Sequence, residues 1–352
     1  MTRGGLAESW HFGALVVVGA DGSRIAEAGS ADVRVVVRSS IKPFQALELF
    51  ASKAWERFGL TPQELALSCA SHSGLAFHRA TAEQMLGRAG LGVDHLQCGS
   101  HFPFDRLETD RLKREGREPT PLHNNCSGKH AAMLLSCQAR GWPLVGYLEP
   151  QHPLQVEIRE HLRVVLRLGQ EEPFPVAVDG CSAPTYALPL EALARGYAAL
   201  ADPEATALDP ERCQSLLKLR DAMGRYPEWV AGPGRFTTEL IQATGGRILG
   251  KEGAEGVYAL ANRGPMPWGA ALKIADGSER TRDIIVLALL EELGALSLGE
   301  RRALESRVLR PIQNHRGMEV GSIEPLFELE WATDFRSKVV SSSGEERGSL
   351  GV

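Results

Sequence analysis

The sequence has no apolar run long enough to cross a bilayer: its longest, residues 14–18 and 284–290, fall far short of the ~20 residues required. It also has no block of Lys or Arg. Its 39 basic side chains are outnumbered by 44 acidic ones, for a formal net charge of −5, so the phosphate-neutralising footprint of a nucleic-acid binder is missing. The opening residues lack the basic-then-apolar pattern of a secretory signal. Six cysteines in 352 residues are too few for a disulfide scaffold, and no two stand in a CxxC pair. Reduced thiols and a cytoplasmic location are therefore expected. No internal repeat occurs.

The bulk that remains is ordinary: 43% apolar and 24% charged residues, the balance of a globular protein. A chain of this length buries about 75% of its unfolded surface and usually forms two lobes. Two β-branched runs, residues 14–18 and 33–37, bracket the turn cluster Gly19-Ala20-Asp21-Gly22. Ser39-Ser40-Ile41-Lys42-Pro43 opens a helix through Leu49, with serine at the cap and proline in the first turn. Thr61-Pro62-Gln63-Glu64 is a capping box.

The spacing predicts helices at 78–86, 106–113, 127–138, 154–168, 187–200 and 209–224. Strand character returns at 247–249 and 257–260, flanking a glycine-rich loop at 250–256, and again at 270–275. Ser278 caps an apolar helix over 282–293, and Ser297-Leu298-Gly299-Glu300 boxes a shorter one. Strands at both ends with helices between them predict an α+β fold. A strand-rich lobe (about 1–60 and 240–331) is split by a helical lobe (about 61–239), and residues 332–352 form a polar tail. The cleft between lobes is the expected place for a small-molecule site.

Five stretches carry candidate chemistry. Ser39-x-x-Lys42 places a hydroxyl and an amine on one helical face, and a lysine can serve as base once burial or nearby positive charge lowers its pKa. The pattern alone is weak, because Ser215-x-x-Lys218 repeats it in a helix with nothing chemical around it. Ser68-Cys69-Ala70-Ser71-His72-Ser73-Gly74 is rich in small residues, so its backbone N–H groups are candidates for an oxyanion site; a plain turn after a helix is the other reading. Asn125-Cys126-Ser127-Gly128-Lys129-His130 stands at a helix start, where a thiol gains thiolate character. It is not a P-loop: His123 occupies the place of the first glycine and His130 that of the hydroxyl. Asp179-Gly180-Cys181 supplies an acid and a second thiol. Cys126 and Cys181 are a pair for a soft metal, a disulfide, or two independent buried thiols. Lys251, in the glycine-rich loop, reads as a solvated turn lysine unless a partner in the cleft engages it.

Taken in order, these stretches resemble one family. Arg38-Ser39-Ser40-Ile41-Lys42-Pro43, Cys69-Ala70-Ser71-His72-Ser73, Asn125 to His130, Asp179-Gly180-Cys181, Val230-Ala231-Gly232-x-Gly234-Arg235, Gly250-Lys251 and Lys273-Ile274-x-Asp276-Gly277 are similar to the type II L-asparaginases of rhizobia. The resemblance spans about residues 3–320. It implies a serine-β-lactamase/penicillin-binding-protein-like fold, with an antiparallel sheet lobe and a helical lobe, and a homodimer. It also implies two serine–lysine pairs, Ser39 with Lys42 and Ser71 with Lys251, and one zinc per subunit on Cys126, Lys129 and Cys181. Arg38, His72, Asn125, His130 and Asp179 fall where the substrate binds.

The expected reaction is hydrolysis of L-asparagine to L-aspartate and ammonia. Ser39 attacks the amide, neutral Lys42 accepts its proton, and Ser71 with Lys251 relays a proton to the leaving ammonia. Ser71 as nucleophile is the variant within this scheme. The zinc orients the amino-acid head of the substrate. One rival is a β-lactam-recognising or other serine amidohydrolase, although Ser-Asp-Asn and Lys-Thr-Gly are both missing. The other is a non-catalytic amino-acid or metal-binding protein.

Overall fold

In the computed structural model of the chain, residues 1–308 and 311–332 are described. The expected polar tail lies outside them except for Ala332. A six-stranded sheet runs in the order Glu330–Trp331, Arg24–Ala28, Gly13–Gly19, Trp268–Ile274, Val257–Asn262, Ile248–Gly253. Every neighbouring pair is antiparallel. The two ends of the chain are thus woven into one sheet, as expected of an α+β protein.

Side chains alternate across a strand, and here each face meets its own core. Val16 and Val18 point to one cluster with Ala259, Ala261 and Ala271. Leu15 and Val17 point to the other with Tyr258, Leu260 and Leu272. The first face is covered by the helix Leu190–Ala201, whose Leu193, Ala194 and Tyr197 are fully buried. Its backbone lies so close to the central strand that a Cβ on Gly269 would stand 2.1 Å from Ala198 N. Only glycine admits that approach. The second face is covered by the helices Phe236–Ala243 and Glu279–Glu292. Helices make up most of the chain between Pro62 and Ala243. No helix among the described residues is long and apolar enough to cross a membrane.

Three local expectations are corrected. The run 33–37 is a strand as expected but does not pair with 14–18 across the turn, a place taken by Arg24–Ala28; Arg34–Val36 pairs with Pro184–Pro189, which pairs with Val176–Val178. The helix expected over 187–200 begins at Leu190, because Pro184–Pro189 is a mostly buried strand. The helix expected from Ser39 to Leu49 is divided into a 3-10 turn, Arg38–Ile41, and two short helices, Lys42–Gln45 and Glu48–Ala51. Serine does not cap it by a side-chain bond. The turn is instead fastened from outside, where the buried Tyr197 hydroxyl donates to Ser40 O at 2.6 Å.

Candidate active site

Ser71 stands just past the helix Pro62–Ser68, which opens on the expected Thr61 and Glu64 capping box. The chain there is pinned on both sides. The Ser71 N–H donates to Val230 O at 3.0 Å and the His72 N–H to Asn125 O at 3.1 Å. These two amides already have acceptors, so neither is free to hold an oxyanion.

Two lysine amines converge on the Ser71 hydroxyl. Lys42 Nζ is 3.0 Å and Lys251 Nζ 2.8 Å from Ser71 Oγ. All three side chains are buried. Lys42 also donates to Ala70 O at 2.5 Å and to Cys126 Sγ at 3.2 Å. These three acceptors match the three N–H bonds of an ammonium, and Ser39 is not among them. The expected Ser39–Lys42 hydrogen bond is therefore not formed. Among the described residues the half-buried Ser39 hydroxyl has no hydrogen-bond partner.

Lys251 is a strand residue, not a loop residue. Pairing continues from Lys251 opposite Ala259 to Gly253 opposite Val257, so the turn is confined to residues 254–256. The glycines that suggested a loop make room instead. A Cβ on Gly250 would meet the Tyr258 hydroxyl at 2.3 Å. Strand geometry then aims Lys251 into the protein, where Glu252 O accepts a second bond at 2.9 Å. Burial, helped by the neighbouring charge of Lys42, lowers the Lys251 pKa to about 7. Near neutral pH this amine can hold a lone pair toward Ser71. The Glu252 carboxyl is buried as well, yet Arg235, Lys251 and Arg282 outweigh that burial and hold its pKa below the usual range. Arg235 makes a direct ion pair with it and Arg282 lies 3.5 Å away.

A sulfur-rich cluster adjoins this pair through Lys42. Cys126 precedes the helix Ser127–Arg140, and Lys129 Nζ donates to Cys181 Sγ at 3.0 Å. Both thiols are free; the closeness of Cys181, with burial, pushes the Cys126 thiol up, and the closeness of Cys126, with Lys129 beside it, pulls Cys181 down. The two directions favour Cys181 over Cys126 as the thiolate. Burial alone would lower Lys129, but the two sulfurs raise it above its ordinary value. Two sulfurs and an amine form a donor set suited to zinc, provided Lys129 gives up its proton. Among the described residues no group of three or more His, Cys, Asp or Glu side chains is gathered to hold a metal, so the third protein ligand would have to be Lys129.

The substrate-side candidates divide. Arg38 adopts φ +50°, a left-handed conformation costly for a residue with a Cβ. Its guanidinium is held by Asp179 Oδ1 at 2.8 Å. Asn125 is half-buried; its Oδ1 lies 3.3 Å from both Cys126 Sγ and His101 Nε2. His72 is fully buried, with Nε2 at 2.9 Å from Ser127 Oγ and Nδ1 accepting from the Gly74 N–H at 3.1 Å. His130 binds Tyr147 through Nδ1 at 2.7 Å, and its buried Nε2 has no hydrogen-bond partner among the described residues. Sequence reasoning passed over His101, Glu252 and Tyr147. His101 accepts the Asn125 N–H at 3.0 Å and stacks on Phe104. Only Glu252, adjoining Lys251, carried a signal. The second Ser-x-x-Lys motif is structural: Ser215 bonds back to Glu211 O and Lys218 lies over Trp55.

The sequence profile described as L-asparaginase II matches residues 1–325. No curated protein matches the chain at significant similarity. Among solved structures, one named "putative beta-lactamase" from Bacteroides dorei is 17% identical, with 75% of this chain and 87% of that chain covered at a TM-score of 0.39. Mglu in its tris and glutamate form is 12% identical, with 84% of this chain and 62% of that one covered at a TM-score of 0.35.

Proposed function

Because the chain belongs to the L-asparaginase II family, we propose that it hydrolyses the side-chain amide of L-asparagine to L-aspartate and ammonia, with Ser71 as nucleophile. The observation that carries this reading is the Ser71 hydroxyl held between two buried amines, 3.0 and 2.8 Å away. Neutral Lys251 takes the Ser71 proton as the oxygen attacks the carboxamide carbon. The Lys42 ammonium, donating to the Ser71 oxygen before attack, lowers that hydroxyl's hold on its proton and so eases the transfer to Lys251. Lys251, now charged, returns the proton to the departing ammonia. Water then enters by the same base and releases aspartate from the acyl-enzyme.

Arg38, oriented by Asp179, is the guanidinium for the substrate carboxylate, a pairing that a planar fork favours. Cys126, Lys129 and Cys181 would hold zinc beside the substrate, where a bound cation supplies a fixed positive charge for orienting the amino-acid head. The same reading takes the sheet and its helices as a two-lobed, serine-β-lactamase-like arrangement that works as a cytoplasmic homodimer.

A second reading keeps Ser39 as nucleophile. It is favoured by that hydroxyl's partial exposure and its lack of a hydrogen bond among the described residues, which leave it open to a substrate. Ammonia release from asparagine, run beside glutamine, tests the reaction itself. One methylene alters pocket binding by only ~1–3 kcal/mol, so both amides must be compared. Release from neither would reduce the chain to a binding protein.

A further inference from the structure

His130 follows the proposed metal ligand Lys129, and its ring is held by Tyr147. Tyr147 is completely buried. Its oxygen accepts the Gln97 N–H at 3.1 Å, which leaves the phenol proton in need of an acceptor. The ring nitrogen His130 Nδ1, 2.7 Å away, is that acceptor. A phenol has one proton to give, so Nδ1 is the bare nitrogen of the neutral imidazole and Nε2 carries the hydrogen. Among the described residues the Nε2–H is buried and reaches no partner at bonding geometry, and the Cys181 sulfur lies beside it. Buried donors of this kind are rare unless something completes them.

We infer that Tyr147 and His130 form a positioning relay for the metal site, in which Tyr147 fixes the imidazole tautomer and His130 Nε2–H donates to the Cys181 thiolate when that sulfur is bound to zinc. This rests on the zinc reading above. It also accounts for what His130 does not do. A nitrogen that carries a proton cannot ligate a metal, and no trio of His, Cys, Asp or Glu side chains is gathered for one among the described residues. Outer hydrogen bonds of this type orient metal ligands and tune their basicity, and losing one typically weakens binding by about 10–100-fold.

The test uses the full-length chain and zinc itself. Affinity is measured by competition with a chromophoric chelator, and the thiolate-to-metal absorption is recorded after loading with cobalt(II). Tyr147→Phe and His130→Leu are expected to weaken zinc binding by at least about tenfold and to move the cobalt–thiolate band to lower energy, because the sulfur loses a donor. His130→Gln, whose side-chain amide can supply the same N–H, is expected to recover most of the affinity. Nitrogen NMR of the wild-type imidazole requires no variant to fold, and is expected to find the His130 proton on Nε2. A proton on Nδ1, or zinc affinity and a cobalt band unchanged in both Tyr147→Phe and His130→Leu, overturns the relay while leaving the zinc site standing. Failure of the wild-type chain to take up zinc or cobalt removes the metal reading, and the relay with it.

Discussion

Ser71 and Lys251 are 180 positions apart in the chain and 2.8 Å apart in space. One follows a helix, the other projects from the edge strand of the main sheet, and the bond between them closes the largest loop in the site. Hydroxyl and amine are both buried. Such a contact costs desolvation, which is the usual mark of a group kept for chemistry and not for stability.

Removing the hydroxyl at the centre should stop the reaction without unfolding the chain. Ser71→Ala is expected to lower kcat by about 10³-fold or more, whereas Ser39→Ala stays within about tenfold of wild type. Ammonia release by each variant, with circular dichroism as a folding control, checks this. The reverse ranking supports the second reading.

Lys251 should set the acid limb of the pH profile. Its pKa is lowered to about 7, so it is protonated and inactive as a base below that pH and free above it. The logarithm of kcat/KM is expected to rise with unit slope at acid pH and level off above pH ~7. Lys42 contributes to the lowering, so Lys42→Met should move the limb to higher pH in whatever activity remains. A limb that stays in place excludes Lys251 as the titrating group.

The same lysine should cost stability. Its ordinary pKa of 10.5 falls to about 7 on folding, so the unfolded chain binds more protons between those values. Stability from this group therefore rises with pH across that window, and the full penalty, up to ~5 kcal/mol, applies below it. Lys251→Met removes the penalty and the bonds to Ser71 and Glu252, each worth ~1 kcal/mol. Urea unfolding should show the variant more stable by about 2–3 kcal/mol at pH 6, with the gap shrinking by pH 9. A variant less stable at both pH values contradicts this.

Metal removal separates orientation from chemistry. Dialysis against a chelator is expected to raise KM more than it lowers kcat, with recovery on adding zinc. Complete, zinc-reversible loss of kcat at constant KM points to metal-bound hydroxide as the attacking group instead.

Much of the fold was readable because its signals are local. The Thr61 and Glu64 capping box and the β-branched run within Gly13–Gly19 each depend on a few neighbouring residues. Pro184–Pro189 was misread because a short buried apolar run fits helix and strand equally well until its partners are known. Lys251 was misplaced for a similar reason. Gly250 looks like loop composition, but it is glycine because the Tyr258 ring on the next strand fills the space a side chain would take. The meeting of Lys42, Ser71 and Lys251 was anticipated through family resemblance and not through spacing, since no period links positions 42, 71 and 251. His101 and Tyr147 act through single bonds to Asn125 and His130, and nothing beside them in the chain announces such contacts.

The most direct test is to quench the enzyme during turnover of L-asparagine and map any covalent aspartyl adduct by peptide mass spectrometry. The account predicts an ester on the peptide bearing Ser71, lost in Ser71→Ala and sharply reduced in Lys251→Met, which lacks the base for attack. An ester on the Ser39 peptide, or sustained ammonia release by Ser71→Ala, contradicts it.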